Sequence, residues 1–292
     1  MQVAKTAPAK LVAKRPGSVK RNIISAVIAV AVLAAVLVVV LSDAISWETV
    51  GRYLFSASVL RGLWVTLQLT VLSMLLGVVL GITSALMLRS RTPAFSWLAR
   101  GYIWFFRGTP VLVQLIFWFN LALIIPMVGI GEWSVSTNVL ITPFVAALLG
   151  LGINEGAYMS EIFRAGIDSV DRGQTEAGLA SGMKPGQVMR RVVLPQALIM
   201  ITPPTGNQAI GMLKTTSLVS VIAAQDLLTS VQRIYAQNYQ IIDLLIVASI
   251  WYLALTTLAT IGQSRLERSF SANRPLAVGT RKWRMAFNKE NI

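Results

Sequence analysis

Acidic, basic and amide side chains set inside otherwise apolar runs are the residues of this chain best placed to do chemistry. Glu155 follows Asn154 and precedes Gly156 midway along a run from Val139 to Ala165. A charge at the centre of a hydrocarbon layer costs at least ~2.5–3.5 kcal/mol, so an acid there is a functional candidate by default. The chemistry it offers is binding: a carboxylate facing the ammonium or polar group of a solute. An acid paired with a neighbouring donor for structure is the alternative. Gln114, Asn207 and Gln208 lie in other apolar runs, where they either line a polar route or bond between helices. Lys214 ends a run; it attracts a carboxylate or closes an outer gate, unless it merely snorkels to the interface. Arg107 stands near the inner end of its run, and Pro110 frees the backbone carbonyl four residues earlier, which makes a kink and a possible gate. Glu161 and Arg164, three apart on one helix face, make an ion pair at the inner boundary.

Other chemistry is excluded by composition. Histidine and cysteine are both absent. That removes the Ser-His-Asp triad, His-based metal signatures, disulfides and thiolate sites. No two acids share a span at a spacing suited to paired-carboxylate catalysis, so no enzyme is expected. There is no Gly-x-x-x-x-Gly-Lys-Ser/Thr loop; the nearest approach, Gly206 to Gly211, has Lys214 displaced by two residues. The chain itself is therefore expected to bind no ATP, metal or other cofactor.

The elements that must hold these residues are membrane helices. Of 292 residues, 55% are hydrophobic and 13% charged, against roughly 25% charged in a soluble domain. The apolar residues cluster in runs Ile23–Leu41, Leu63–Leu88, Ala99–Ile125, Val139–Ala165, Val193–Leu213 and Ile241–Gln263. A run of this length crosses a hydrocarbon core of ~30 Å at ~1.5 Å per residue. The first is longer than the ~7–15-residue core of a signal peptide, and no small-residue cleavage site follows it. The expectation is an all-α integral membrane protein with about six transmembrane helices, since these runs lack the alternation of barrel strands. Gly77 and Gly81 form a Gly-x-x-x-Gly pair for close helix approach in the second run.

The net charge of +14 is spread as membrane orientation requires rather than as a nucleic-acid surface. With a cytoplasmic amino terminus, the N-tail, Arg89–Arg100, Arg164–Arg191 and the segment after Gln263 hold 6, 3, 5 and 7 Lys/Arg. The outward segments hold Arg52, Arg61, Lys214 and Arg233. Both termini are expected to be cytoplasmic. The organisation reads as a basic tail (1–22), an extra helix (23–41), a main transmembrane domain (57–270) and a second basic tail (271–292). The tails either bind anionic membrane lipid or stay disordered.

One inward segment, 168–195, is too long for a simple turn between helices. Gln174 to Ser181 has good helix formers, with Glu176 near the start to offset the helix dipole. Gly182 suits a left-handed helix end, Pro185 starts a second short helix, and Pro195 kinks the next span. Two short helices joined at a glycine are expected at the cytoplasmic face; a solvated loop with incidental helices is the plainer alternative.

Glu176-Ala177-Gly178, Gly182 and Val192-Val193-Leu194-Pro195 resemble the EAA signature of ATP-binding-cassette importer permeases. Gly178 and Val192 stand where alanine and isoleucine are usual. Arg107-Gly108-Thr109-Pro110 with Val113-Gln114-Leu115, Gly156-Ala157-Tyr158 with Glu161 and Arg164-Ala165-Gly166-Ile167, and Pro203-Pro204 with Gly206-Asn207-Gln208 resemble the polar amino-acid branch of that family. Thr215 replaces an acid or amide that often follows the lysine there. The resemblance implies a bacterial plasma-membrane permease subunit of an importer for small polar solutes, amino acids foremost. It implies docking of the 168–195 loop into an ATPase subunit present in two copies, which binds ATP and magnesium. A second permease chain, identical or related, and an extracytoplasmic solute-binding protein complete the assembly. An ion-coupled secondary transporter or channel is the alternative, against which stand the absence of visible repeats and the long loop.

Overall fold

A computed structural model describes residues 19–40, 42 and 44–272. The expected tails therefore lie largely outside the described residues, as does Leu41 at the end of the first run. The chain divides into two compact units, Met1–Trp47 and Glu48–Ile292. In the first, α1 spans Val19–Val40 and contains most of the expected first span.

The second unit is helical, as expected. After α2 (Trp47–Leu54) and α3 (Ala57–Leu88) come α4 (Pro93–Gly108) and α5 (Val111–Phe119). A two-residue antiparallel pair, β1 (Met127–Val128) and β2 (Val135–Ser136), leads through α6 (Thr137–Leu140) to α7 (Pro143–Asp168). Then follow α8 (Arg172–Ala180), α9 (Pro185–Val188), α10 (Leu194–Thr215), α11 (Leu227–Asn238) and α12 (Ile241–Ala272). Among the described residues, Ala57–Leu88 and Ile241–Ser269 are long and apolar enough to cross a membrane singly; α4 and α5 together make a third span if read as one broken helix.

One expected span needs correction, and two others shift by four residues or fewer at their ends. The run Ala99–Ile125 is not one helix: α4 and α5 meet at 102° around Thr109-Pro110. Pro110 can neither donate to Phe106 nor sit in a regular turn, so a kink becomes a break. The fourth helix begins at Pro143, because Thr142 caps it by accepting from the Val145 N–H. The fifth runs past Leu213 to Thr215 and tightens into a 3₁₀ segment, Thr216–Ile222.

The main seam joins α3 to α7. Lipid tails are as apolar as leucine, so helices here associate by close contact between small residues rather than by expelling water. Gly77 and Gly81 meet Glu155 and Met159 of α7, while Gly152 and Gly156 meet Leu76 and Leu80 of α3. The Gly-x-x-x-Gly pair thus packs as expected, and the partner glycines interleave with it. One buried core gathers Leu69, Leu115, Leu151, Met212 and Val219; another gathers Val59, Leu227, Val231, Leu244 and Val247. Asp226 caps α11, accepting from the Leu228 and Thr229 N–H groups at 3.0 and 3.1 Å and from the Thr229 hydroxyl. That buried acid is satisfied locally.

Candidate functional site

Breaking a helix inside an apolar layer leaves carbonyls that must find donors. At the α4–α5 elbow they do. The Thr109 hydroxyl donates back to the Phe105 carbonyl at 2.9 Å. The Phe106 carbonyl, the one Pro110 cannot serve, accepts from Asn154 Nδ2 of α7 at 2.7 Å and from Gln114 Nε2 at 3.1 Å. Gln114 Nε2 also donates to the Thr109 carbonyl and hydroxyl at 3.1 and 2.8 Å, and its Oε1 accepts from Asn154 Nδ2 at 3.3 Å. From α4, the Tyr102 hydroxyl donates to the Ile153 carbonyl at 2.6 Å. The elbow is thereby tied to α7 at Ile153 and at Asn154.

Beside this tie lies a cavity of about 460 Å³. Arg107, Thr109 and Pro110 come to it from the elbow, Asn154, Glu155 and Tyr158 from α7, and Gln208 and Thr215 from α10. Glu155 is 6% exposed and accepts from Gln208 Nε2 at 3.2 Å. The ion pairs of the described residues engage Glu48, Glu161 and Asp168, not Glu155. Behind it, a methyl group added at Gly77 would stand 2.8 Å from Glu155 Cγ, so the bare glycine leaves room for this side chain. The Arg107 guanidinium sits 5.3 Å from the centre of the Tyr158 ring. The cavity therefore carries a carboxylate, a guanidinium and two amides on apolar walls, a set suited to holding a small polar or zwitterionic solute. Among the described residues, no three acids come together to hold a metal ion.

The second candidate region is the 168–195 loop, and its two-helix form is as expected. Asp171 caps α8, its side chain accepting from the Gly173 N–H at 2.6 Å. Here the sequence reading placed the wrong acid at the helix start: Glu176 lies past the first turn and is exposed, and Asp171 has the capping place. The helix ends in a Schellman motif, Met183 N–H to Gly178 carbonyl and Gly182 N–H to Leu179 carbonyl, with Gly182 at φ +80°. Gly178 is buried against Val188, which packs α8 onto α9; Ala177 faces outward. Pro185 opens α9 as expected. Leu194 and Pro195 begin α10, and the turn before them, Met189–Val193, is a π-helix. A widened turn accommodates the missing donor of Pro195, so the expected kink takes the form of a π-bulge. A cleft of about 520 Å³ under the loop is lined by Arg89, Asp168, Arg172, Val188 and Val193, among others.

The cavity thus unites five sequence-selected residues: Arg107, Pro110, Asn154, Glu155 and Gln208. Gln114 is buried beside it, within the elbow. Lys214 is exposed, away from the cavity wall, and Asn207 faces α12, accepting from Gln263 at 3.1 Å. Glu161 and Arg164 form their expected ion pair at 2.6 Å, and Arg164 also reaches Asp168, which Arg89 binds at 2.8 Å. The sequence reading missed Tyr102, Asp168 and Arg89. Tyr102 sits in an aromatic stretch with no local signal; the other two needed the α3–α7 pairing to be known.

Residues 77–272 match the family described as the binding-protein-dependent transport system inner membrane component, and the chain belongs to it. The arginine transport system permease protein ArgU of Corynebacterium glutamicum is 41% identical over 270 residues, 91% of this chain and 85% of the relative. The L-cystine transport system permease protein TcyB of Bacillus subtilis is 37% identical over 229 residues, 78% of this chain and 92% of the relative. A crystal structure of an amino acid ABC transporter with histidines superposes at a TM-score of 0.69 with 35% identity, covering 77% of this chain and 99% of that one.

Proposed function

We propose that this chain is the pathway-forming subunit of an ATP-driven, binding-protein-dependent importer of amino acids, with cationic amino acids its preferred cargo. Glu155 carries the reading: a nearly buried carboxylate lines the cavity with an amide, not a cation, as its partner. A carboxylate so placed gains most from a cation that arrives with the cargo. Relatives whose printed cargoes are arginine and cystine, and a structure holding histidines, support the substrate class.

Energy enters from outside the chain. The capped, glycine-jointed helices of 168–195 are the docking point for a separate ATPase, two copies per assembly, which binds the ATP and magnesium. A second permease chain completes the pathway, and an extracytoplasmic solute-binding protein delivers the cargo; alternating access rocks the permease pair about the central site. In the bacterial inner membrane the chain crosses six times with both termini cytoplasmic, a reading supported by the Lys/Arg asymmetry. An ion-coupled carrier is not favoured, given the family match.

The test is uptake of labelled L-arginine by the whole complex in proteoliposomes. Glu155→Gln is expected to lower uptake by roughly tenfold or more while the ATPase subunit still co-purifies. Unchanged uptake with normal assembly rules out the pathway role of Glu155.

A further inference from the structure

The elbow bonds are more than a repair of Pro110. A lone proline break needs one donor for the freed carbonyl, and Gln114, four residues on, already supplies it. The Phe106 carbonyl takes a second, shorter bond from Asn154, 48 residues away on α7. Asn154 Nδ2 donates both to the Phe106 carbonyl and to Gln114 Oε1. Gln114 is 5% exposed and does not reach the cavity wall. Arg107, by contrast, follows Phe106 directly and stands at the cavity. The side chain after Asn154 is Glu155. One amide thus joins the peptide that presents the cavity's cation to the peptide that presents its acid.

We propose that Asn154 and Gln114 are positioning residues: they clasp the α4–α5 elbow to α7, fix where Arg107 stands relative to Glu155, and so set cargo affinity through Arg107. This rests on reading the cavity as the place where cargo sits. Three features of the geometry follow from it. The clasp works beside the Tyr102–Ile153 bond and the packing of Leu115 against Gly150, which also hold the elbow to α7. It is made of amides, which give donor and acceptor at once without adding charge to the cavity. It acts on the backbone next to Arg107, so loosening it displaces the guanidinium without removing it.

A double-mutant cycle tests the route of action, because residues that act through one another are not additive. In proteoliposomes containing the whole complex, with labelled L-arginine delivered by the solute-binding protein, Asn154→Leu is expected to raise the uptake KM roughly tenfold with a smaller change in maximal rate. Arg107→Gln is expected to raise it as much or more. The double variant is expected to be no worse than Arg107→Gln alone. Multiplying effects would overturn the proposal, since a general loss of folding or a separate cargo contact by Asn154 combines that way.

A second measurement does not depend on transport. The chain has no cysteine, so spin labels at Leu98→Cys on α4 and Phe117→Cys on α5, both exposed side chains, report the elbow directly. One narrow distance distribution is expected with the clasp intact, and a broadened or shifted one with Asn154→Leu or with the milder Gln114→Met. An unchanged distribution in both variants would overturn the clasp whatever the uptake data show. If Glu155→Gln leaves uptake intact, the cavity reading fails; if Glu155→Gln is defective but the cycle is multiplicative, only the clasp fails.

Discussion

Glycine does opposite work in the two regions that matter most. Along the α3–α7 seam it works by being small. A methyl group at Gly156 would lie 2.5 Å from the Tyr102 hydroxyl oxygen and 2.6 Å from Leu80 Cβ, and one at Gly81 would run into Met159. In the 168–195 loop Gly182 has nothing within 4 Å of the place a Cβ would take, yet its φ is +80°. There it works by tolerating a left-handed backbone. The contrast follows from the surroundings. Within the apolar layer helices adhere by contact, so shape decides; at the aqueous edge short helices hold by their caps, so conformation decides.

The comparison breaks most readily at Gly156. Gly156→Ala is expected to cost about 1–3 kcal/mol from overpacking and to displace the Tyr102 hydroxyl from the Ile153 carbonyl beside Glu155. Most of the assembled complex should be lost, as read by size-exclusion yield and thermal stability in detergent. A wild-type yield with full uptake would show that the seam has slack and that size is not what Gly156 supplies. Gly182→Val comes next. A β-branched residue in the left-handed region costs about 1–3 kcal/mol locally, but the seam is untouched. The permease should accumulate normally while ATPase stimulation by loaded binding protein falls severalfold. Gly182→Asn should retain most of it, because asparagine visits this region more readily. Equal damage from valine and asparagine would mean that side-chain bulk at this turn, not backbone conformation, is what the site forbids.

These regions also differed in how far the sequence disclosed them. The Gly182 turn and the Pro185 start were readable because each depends on the residue's own backbone limits. The elbow was half readable. Pro110 marks Phe106 as the freed carbonyl, but the donor on α7 is 48 residues away and had to be seen. The turn's severity escaped for the same reason: a proline announces a kink, whereas 102° requires neighbours that stabilise both arms. Helical spacing could not say which side of α10 faces the cavity, so Asn207 and Gln208 looked alike; Gln208 meets Glu155 and Asn207 meets Gln263. Asp171 was passed over for Glu176 because helix formers were counted from Gln174, while the cap lies outside the helix it begins. Its replacement, Asp171→Ala, is the third prediction: a loss of about 1 kcal/mol in the loop, seen as a modest drop in ATPase stimulation with complex yield unchanged.

The smallest expected effect concerns the ion pairs at the root of the loop. Arg89, at the end of α3, binds Asp168 at the end of α7, and Asp168 in turn meets Arg164, which holds Glu161. Drawn out, this is a continuous chain from one arm of the seam to the start of the 168–195 loop, and it invites a mechanical reading. Its exposure argues against a large one: the Arg89 and Asp168 side chains are 42% and 49% exposed. Ion pairs in such surroundings contribute roughly 0.2–1 kcal/mol and weaken with salt. Asp168→Asn should therefore lower ATPase coupling less than about twofold. The difference from wild type should vanish as ionic strength rises toward 1 M, where the screening length falls to ~3 Å. A severalfold loss that persists at high salt would mean that partners bury this chain of charges in the assembly. The loop would then share with the seam a dependence on groups shielded from water, and the division between a contact-held interior and a cap-held edge would have to be redrawn at Asp168.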